Sequence, residues 1–343
     1  MIEQTILVTG GAGYIGSHTI VALSEMTGYK IVSADNYSNS TSATYNRIKT
    51  ITGKNIEHIE ADLSNRKQVE EVFRQYPGIT GIIHFAAFKS VPESVAKPLM
   101  YYQNNLNSLI HLLDIGSRKS VKHFIFSSSC SVYGNISFLP VTEKTPIGKV
   151  ESPYAFTKVI GEKILEDAIE AFNGMKGIAL RYFNPVGAHE SGKLGELPNQ
   201  RPNNLVPVIT QTAIGKIPKT QVFGGDYPTR DGTCVRDYIH VCDIAEAHVK
   251  ALDHLISNSS KENFSIFNLG SDTGVTVLEA IKAFEKVSKQ KLNYEIIGRR
   301  AGDVESIYSD SSKAERLLGW KAKRSLDEMM ASAWKWELHL ASK

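Results

Sequence analysis

Cysteine is scarce in this chain: 343 residues contain three, Cys130, Cys234 and Cys242. Their separations match no metal-ligand spacing, and an odd number closes no even disulfide framework, so no metal is expected. A reducing cytoplasm suits such a protein. Long apolar runs are also missing; none reaches the ~18 residues that a membrane span requires. Charge of one sign is not in excess. Lys and Arg number 39 against 36 Asp and Glu, a formal net charge of +3, too small to argue for a nucleic-acid or membrane partner. The opening Met1-Ile2-Glu3-Gln4-Thr5-Ile6-Leu7-Val8 lacks a basic stretch followed by a long apolar one, so no signal peptide is expected. There is no internal repeat and no low-complexity tract. What remains is an ordinary globular composition, 42% hydrophobic and 22% charged. The length suits two domains, or one domain with a large appended lobe.

The first informative segment follows at once. Thr5 to Thr9 is a short β-rich run that ends in Gly10-Gly11-Ala12-Gly13-Tyr14-Ile15-Gly16. From Tyr14 to Met26 the apolar residues recur at helical spacing. Strand, glycine turn and helix in this order bring a backbone close to a pyrophosphate and aim free N–H groups at it. The spacing Gly10-x-x-Gly13-x-x-Gly16 is not the strict Gly-x-Gly-x-x-Gly, and a tight turn alone would also use these glycines. Context strengthens the first reading. A second β-rich run, Lys30 to Ala34, ends at Asp35, which lies 19 residues after Gly16. A carboxylate there grips ribose hydroxyls and repels a 2′-phosphate. No arginine follows until Arg47, so NAD is favoured over NADP.

Further strands are expected at Ile56–Glu60, Gly81–Phe85, His123–Ser127 and Gly177–Tyr182. Helices are expected around Lys67–Gln75, Asn105–Lys119 and Tyr154–Phe172. Strand alternating with helix implies an α/β fold with a doubly wound parallel (Rossmann) sheet. Functional groups in such a sheet lie at the carboxyl ends of the strands. Asp62-Leu63, Phe85-Ala86-Ala87 and Ser127-Ser128-Ser129 all fall there. The rhythm breaks in the carboxyl-terminal part. The expected division is a cofactor half over residues 1–183, with 236–262 returning to it, and a smaller interleaved α/β substrate lobe formed mainly by 184–343.

Tyr154 and Lys158 stand four residues apart, on one face of the expected helix. An ammonium beside a phenol favours the phenolate, and a phenol otherwise titrates near ~10. Lys158, helped by a nicotinium charge, would make Tyr154 a general base at neutral pH.

Taken together, several stretches carry a resemblance. They are the glycine loop, His84-Phe85-Ala86-Ala87, Ser127-Ser128-Ser129-Cys130-Ser131-Val132-Tyr133-Gly134, and the Tyr154/Lys158 pair. Four others are Arg181-Tyr182-Phe183-Asn184-Pro185-Val186-Gly187-Ala188-His189, Pro202-Asn203-Asn204-Leu205, Asp231–Val241, and Arg299-Arg300-Ala301-Gly302-Asp303. With them the chain resembles the extended short-chain dehydrogenase/reductases and, among these, the UDP-sugar 4-epimerases, from about residue 5 to 336. The resemblance implies a reversible oxidation at the sugar C4 through a 4-keto intermediate, with bound NAD regenerated in each turnover. Tyr154 would move the O4 proton, Ser129 would hydrogen-bond O4, and Lys158 would tune Tyr154 and hold the nicotinamide ribose. It further implies that Gly10, Gly13, Tyr14, Ile15, Gly16, Asp35, Asn36, Asp62, Leu63, Phe85, Ala86, Ala87, Lys89, Asn104 and Phe183 line the NAD site.

A UDP-sugar substrate needs cations for its diphosphate and polar groups for its base. Arg236 and Arg300 are candidates for the diphosphate and Asn184 and Asn204 for hydrogen bonds, and the resemblance implies that Asp303 holds the nucleotide ribose. Leu205, Val222 and Phe223 are expected beside them. The chain departs from the hexose-restricted members at one position. They carry a tyrosine four residues after the Arg-Arg-x-Gly-Asp motif; this chain has Ile307, followed by Tyr308. The smaller residue is expected to widen acceptance from UDP-glucose and UDP-galactose to their 2-acetamido counterparts; core packing without effect on specificity is the alternative. A nucleotide-sugar 4,6-dehydratase would share the fold but needs an acid after the catalytic hydroxyl, where this chain has Ser129-Cys130-Ser131. By the same resemblance a homodimer is expected, through the apolar faces of Asn105–Lys119 and Tyr154–Phe172; packing of both faces on the sheet alone is the alternative.

Overall fold

The computed structural model describes residues 4–198, 202–257, 259, 262–300 and 303–342. The amino-terminal half alternates β1 (Thr5–Thr9), α1 (Tyr14–Met26), β2 (Lys30–Asp35), α2 (Ala43–Thr52), β3 (Glu57–Glu60), α3 (Arg66–Gln75) and β4 (Ile79–His84). It continues through α4 (Val91–Ala96), α5 (Pro98–Arg118), β5 (His123–Ser129), a 3-10 turn (Cys130–Tyr133), α6 (Pro153–Ala171) and β6 (Lys176–Tyr182). After β7 (Asn184–Val186), α7 (Leu205–Ala213), β8 (Thr220–Phe223) and β9 (Val235–His240) come α8 (Val241–Ile256) and β10 (Phe264–Leu269). The chain ends with β11 (Gly274–Thr276), α9 (Val277–Ser288), β12 (Tyr294–Ile297), β13 (Ser306–Ile307), α10 (Ser312–Leu318) and α11 (Leu326–Ala341).

A seven-stranded sheet runs β10-β6-β5-β4-β1-β2-β3, and every pairing in it is parallel. Parallel strands need crossovers, so helices cover both faces and the strands are buried on both sides. In β1 each residue is buried. Ile6 and Val8 join a core with Ile20, Leu23 and Leu252, while Leu7 joins the opposite core with Val32, Val72, Leu109 and Phe124. Side chains alternate along a strand, so one strand supplies both layers. The doubly wound reading is therefore what the chain adopts.

The second lobe holds a four-stranded sheet of β7, β9, β11 and β13 and a two-stranded pair of β8 and β12. Helices α7, α9 and α11 close over a third core that includes Val206, Ile209, Val222, Phe284 and Met330. Capping boxes at Thr276/Glu279 and Ser325/Glu328 start α9 and α11.

The chain's return to the first half differs from the expected span of 236–262. β9 belongs to the smaller sheet, whereas α8 packs on α1 and β10 forms an edge of the larger sheet. A six-residue strand does not announce from its periodicity which sheet it joins. The parallel register of β10 on β6, from Phe264 opposite Gly177 to Leu269 opposite Tyr182, decides it.

Asp237 stitches the lobes together. It is fully buried and accepts hydrogen bonds from the backbone N–H and hydroxyl of Ser271 and of Ser309. That satisfies a carboxylate that would otherwise be costly to bury. It also holds β9 in register with β13, so that Arg236 lies opposite Ile307.

Candidate functional site

The candidate cofactor cradle forms where β1 gives way to α1. Gly10 adopts a left-handed φ of +67°, and a Cβ there would lie 2.8 Å from the Ala86 nitrogen. A Cβ on Gly16 would lie 2.3 Å from the Gly10 carbonyl oxygen. Only glycine permits this close path, in which Gly13 N–H bonds the Gly10 carbonyl. Gly13 is also the N-cap of α1 and gives no side-chain cap, so the first-turn N–H groups stay available to an anion. At the end of β2, Asp35 accepts from the N–H groups of Ala12 and Tyr37 and from the Ser40 hydroxyl, at 3.0, 2.9 and 2.8 Å. The glycine path, the open helix end and a fixed carboxylate fit a pyrophosphate with an adjoining ribose.

The other sequence-predicted cofactor residues divide. Phe85 and Ala86 continue β4, with Phe85 N–H bonded to Thr9 O and Ala86 N–H to the Thr9 hydroxyl. Ala87 follows them. Tyr14 donates its hydroxyl to Gly187 O at 2.6 Å, and Ile15 packs on the adjacent core. Asn36 and Asp62 accept from Ser38 and Ser64 N–H. Asn104 donates to its neighbour Asn105. Leu63 is buried in the core on the α5 side, and its carbonyl oxygen lies 3.1 Å from His111 Nδ1.

The trio expected to react, Ser129, Tyr154 and Lys158, gathers at the end of β5. Ser152 caps α6, accepting from Ala155 N–H at 3.2 Å, and Pro153 occupies the first turn. The start of α6 is thereby set, and Tyr154 and Lys158 follow on one face. The Lys158 ammonium donates to Ser127 O at 2.7 Å and lies 5.8 Å from the centre of the Tyr154 ring. Burial pushes Tyr154 up to about 12, an effect partly offset by a hydrogen bond with Ser129. Burial also pulls Lys158 down to about 8, with Glu162 opposing it. The expectation that Lys158 depresses Tyr154 is thus not met within the chain itself. Desolvation is the larger effect on the phenol, and the ammonium is engaged by a carbonyl.

Sequence reasoning missed the layer beneath this trio. Glu162 lies one turn beyond Lys158 and pairs with Arg181 of β6 through bonds of 2.8 and 2.6 Å. Arg181 also donates to the Tyr133 hydroxyl at 3.0 Å, which donates to Asn268 at 2.6 Å. Glu196 was missed too. It accepts from Lys89 at 3.1 Å and from Asn204 at 2.8 Å, so one carboxylate links an expected cofactor residue to an expected substrate residue. The signal for Glu162 was the continuation of the 154/158 spacing by four. Glu196 had none.

In the second lobe, Arg236, Arg300 and Asp303 converge. Arg300 pairs with Asp303 at 2.7 Å, Arg236 approaches the same carboxylate at 3.8 Å, and Arg300 lies 5.0 Å over the Phe223 ring. Ala301 and Gly302 of this motif lie outside the described residues. Asn184 opens β7 beside Tyr238 of β9. Asn204 and Leu205 start α7, with Leu205 packed on the lobe's core. Val222 is buried in that core. Ile307 is 5% exposed and packs with Val132, Tyr133, Val141 and Phe183. Its neighbour Tyr308 turns to the other face of β13, beside Gly274.

The chain is similar to known proteins along nearly its whole length. A family described as GDP-mannose 4,6 dehydratase matches residues 7–333. The UDP-glucose 4-epimerase of Bacillus subtilis is 51% identical over 334 residues, 97% of each chain. Two solved structures superpose almost completely. One is a UDP-glucose-4-epimerase from Stenotrophomonas maltophila with bound NAD and formylated UDP-arabinopyranose (TM-score 0.94, 42% identity, 99% of each chain). The other is the Bifidobacterium longum UDP-glucose 4-epimerase in complex with NAD+ and UDP (TM-score 0.93, 46% identity, 98% of each chain).

Proposed function

Because this chain belongs to the UDP-glucose 4-epimerase family, within the extended short-chain dehydrogenase/reductases, we propose that Tyr154, Lys158 and Ser129 carry its reversible NAD-dependent 4-epimerisation of UDP-glucose and UDP-galactose. The observation behind these roles is the placing of Tyr154 and buried Lys158 on one face of α6 against the Ser127–Ser129 strand end, where the Lys158 ammonium donates to Ser127 O, in the same sheet as the glycine cradle. NAD, when bound, supplies the hydride acceptor and donor for C4 and a positive ring charge. Tyr154 accepts the O4 proton and returns it. Ser129 orients O4. Lys158 places a positive charge below the phenol, and Asp35 holds the cofactor's ribose. Arg236 and Arg300 hold the diphosphate, with Asp303 at the nucleotide ribose. Turnover of UDP-galactose by purified protein, with NAD released on denaturation, tests this; a demand for added NAD in every cycle would refute it. Elimination of the dehydratase type is disfavoured, because Cys130 and Ser131 follow Ser129 where an acid would be needed.

The substrate range follows from Ile307. Its side chain lies in the cluster shared with Phe183, where a ring would have to displace packed neighbours. The wild type is expected to turn over the 2-acetamido pair as well. Ile307→Tyr is expected to cut that second activity by ~10-fold or more while the hexose activity changes by less than about 3-fold. Parallel progress curves on both pairs decide it. Absence of acetamido turnover in the wild type refutes the broader range.

The dimer reading rests on exposed apolar side chains beside the α5–α6 pair. Leu99 is 72% exposed, Val95 60%, and Phe156 and Ile110 43% each. Such a patch on packed helices suits a second copy. Sedimentation should give a dimer, and Leu99→Arg with Phe156→Arg should give a folded monomer. A wild-type monomer at micromolar concentration would overturn this.

A further inference from the structure

Tyr154, Lys158 and Glu162 form one stripe along α6, at intervals of four. Below the first two, Glu162 and Arg181 are 5% and 3% exposed. The Glu162 carboxylate accepts from the Ser128 hydroxyl and from two nitrogens of Arg181. Ser128 is the residue between Ser127, whose carbonyl receives the Lys158 ammonium, and Ser129. The Arg181 guanidinium reaches on to Tyr133 at the end of the 3-10 turn. One carboxylate thus braces the strand end that carries Ser129 and the turn that follows it.

Charge makes the arrangement unusual. Two buried cations, Lys158 and Arg181, lie near a single buried carboxylate, which pairs with Arg181 and acts on Lys158 through space. With Lys158 charged, the set balances when Tyr154 is a phenolate. A buried ion pair is a poor device for stability, since its desolvation cost can equal its attraction. Beside reacting groups it has another use, because it determines which ionised forms the interior tolerates.

We propose that Glu162 is a positioning residue of the reaction, which keeps Lys158 in its charged form and clamps the Ser127–Ser129 strand end beneath Tyr154. The inference rests on the assignment of Tyr154 and Lys158 as the base pair. The other titratable groups around the stripe are His84 of β4, Tyr182 of β6, and Cys130 and Tyr133 of the 3-10 turn. Burial holds His84 neutral, down to about 3, and Tyr133 and Cys130 up to about 12. On α5, neutral Asn105 faces Thr157. Glu162 is therefore the anion that offsets the burial of Lys158.

The sign follows. Lys158 works as an ammonium, so activity falls as pH rises through its titration. Loss of the Glu162 charge lowers that titration further and moves the alkaline limb to lower pH. The test uses the full chain with its bound NAD and UDP-galactose as substrate. In Glu162→Gln, kcat should drop about 10-fold or more, KM should stay within about 2-fold, and the alkaline limb should fall by about one pH unit or more. Arg181, stranded without its partner, will lower stability in that variant. Glu162→Gln with Arg181→Met removes both charges and should regain thermal stability while keeping the lowered limb. Glu162→Asp keeps the charge and should keep the wild-type limb. A folded Glu162→Gln or double variant with the wild-type pH profile would overturn the proposal, as would a lowered limb in Glu162→Asp. Loss of activity in Tyr154→Phe tests the base assignment separately, so failure of one idea does not disguise failure of the other.

Discussion

Tyr154→Phe is expected to lower kcat by about 10²–10⁴-fold, the range typical of a lost general acid–base group, with NAD still bound. The substitution removes one hydroxyl and leaves the ring. Tyr154 lies on the first turn of a helix whose cap, Ser152, is untouched. The fold should therefore persist, and the glycine cradle with it. What disappears is the group that meets Ser129. The wild-type pH profile should show the same dependence. Burial sets Tyr154 up to about 12 and Lys158 down to about 8. The base needs the phenol ionised and the lysine charged. With the positive charge of bound NAD bringing the phenol's ionisation below that of Lys158, activity should rise with pH as the phenol ionises and fall once Lys158 loses its proton. Near pH 7 in the chain itself, Tyr154 is a phenol and Lys158 an ammonium, so the ionised base is a minority form that a nearby positive charge would enrich. Stopped-time assays of Tyr154→Phe, with cofactor content measured on the same sample, separate chemistry from binding. Unchanged turnover would remove Tyr154 from the mechanism.

Gly16→Ala should have an effect of comparable size on the cofactor. Its Cβ would lie 2.3 Å from Gly10 O and 2.9 Å from Gly11 Cα. Both are backbone atoms, so relief requires the loop to move, and the loop is what presents the N–H groups of α1. Cofactor affinity is expected to fall about 100-fold, and the purified variant should carry little NAD. Gly28→Ala is the control: no atom lies within 4 Å of its added Cβ. Cofactor released by acid and quantified per chain reads the result. Full NAD content in Gly16→Ala would show that the loop does not hold the pyrophosphate as proposed.

Much of the first half was legible because it obeys local rules. The predicted helix from Tyr14 to Met26 and the strand from Thr5 to Thr9 match the observed bounds. Both end at glycines or polar residues that interrupt a regular apolar pattern. The helix expected from Asn105 begins earlier, at Pro98, because its first turns carry polar and aromatic residues without a clear apolar stripe. The second lobe was less legible. Its strands are short, β13 having two residues, and such lengths carry almost no periodicity.

The proposed catalytic trio shows the same division. Tyr154, Lys158 and Ser129 could be picked from spacing and motif, since a helix places every fourth residue on one face whatever surrounds it. Their electrostatics could not. That Tyr154 is raised and not depressed follows from burial, which depends on every element packed above it. The carboxylate of Glu162 reaches Ser128 and Arg181 only because β5 and β6 are neighbours in the sheet. By itself, then, the order of residues determined the doubly wound architecture, the glycine turn and the spacing of the proposed reactive groups, because local periodicity and turn chemistry are short-range. The tertiary structure alone decided which charges share the interior, where β10 joins the sheet, and which side of β13 meets the site. Those depend on contacts between residues far apart in the chain, and on water being removed from around them.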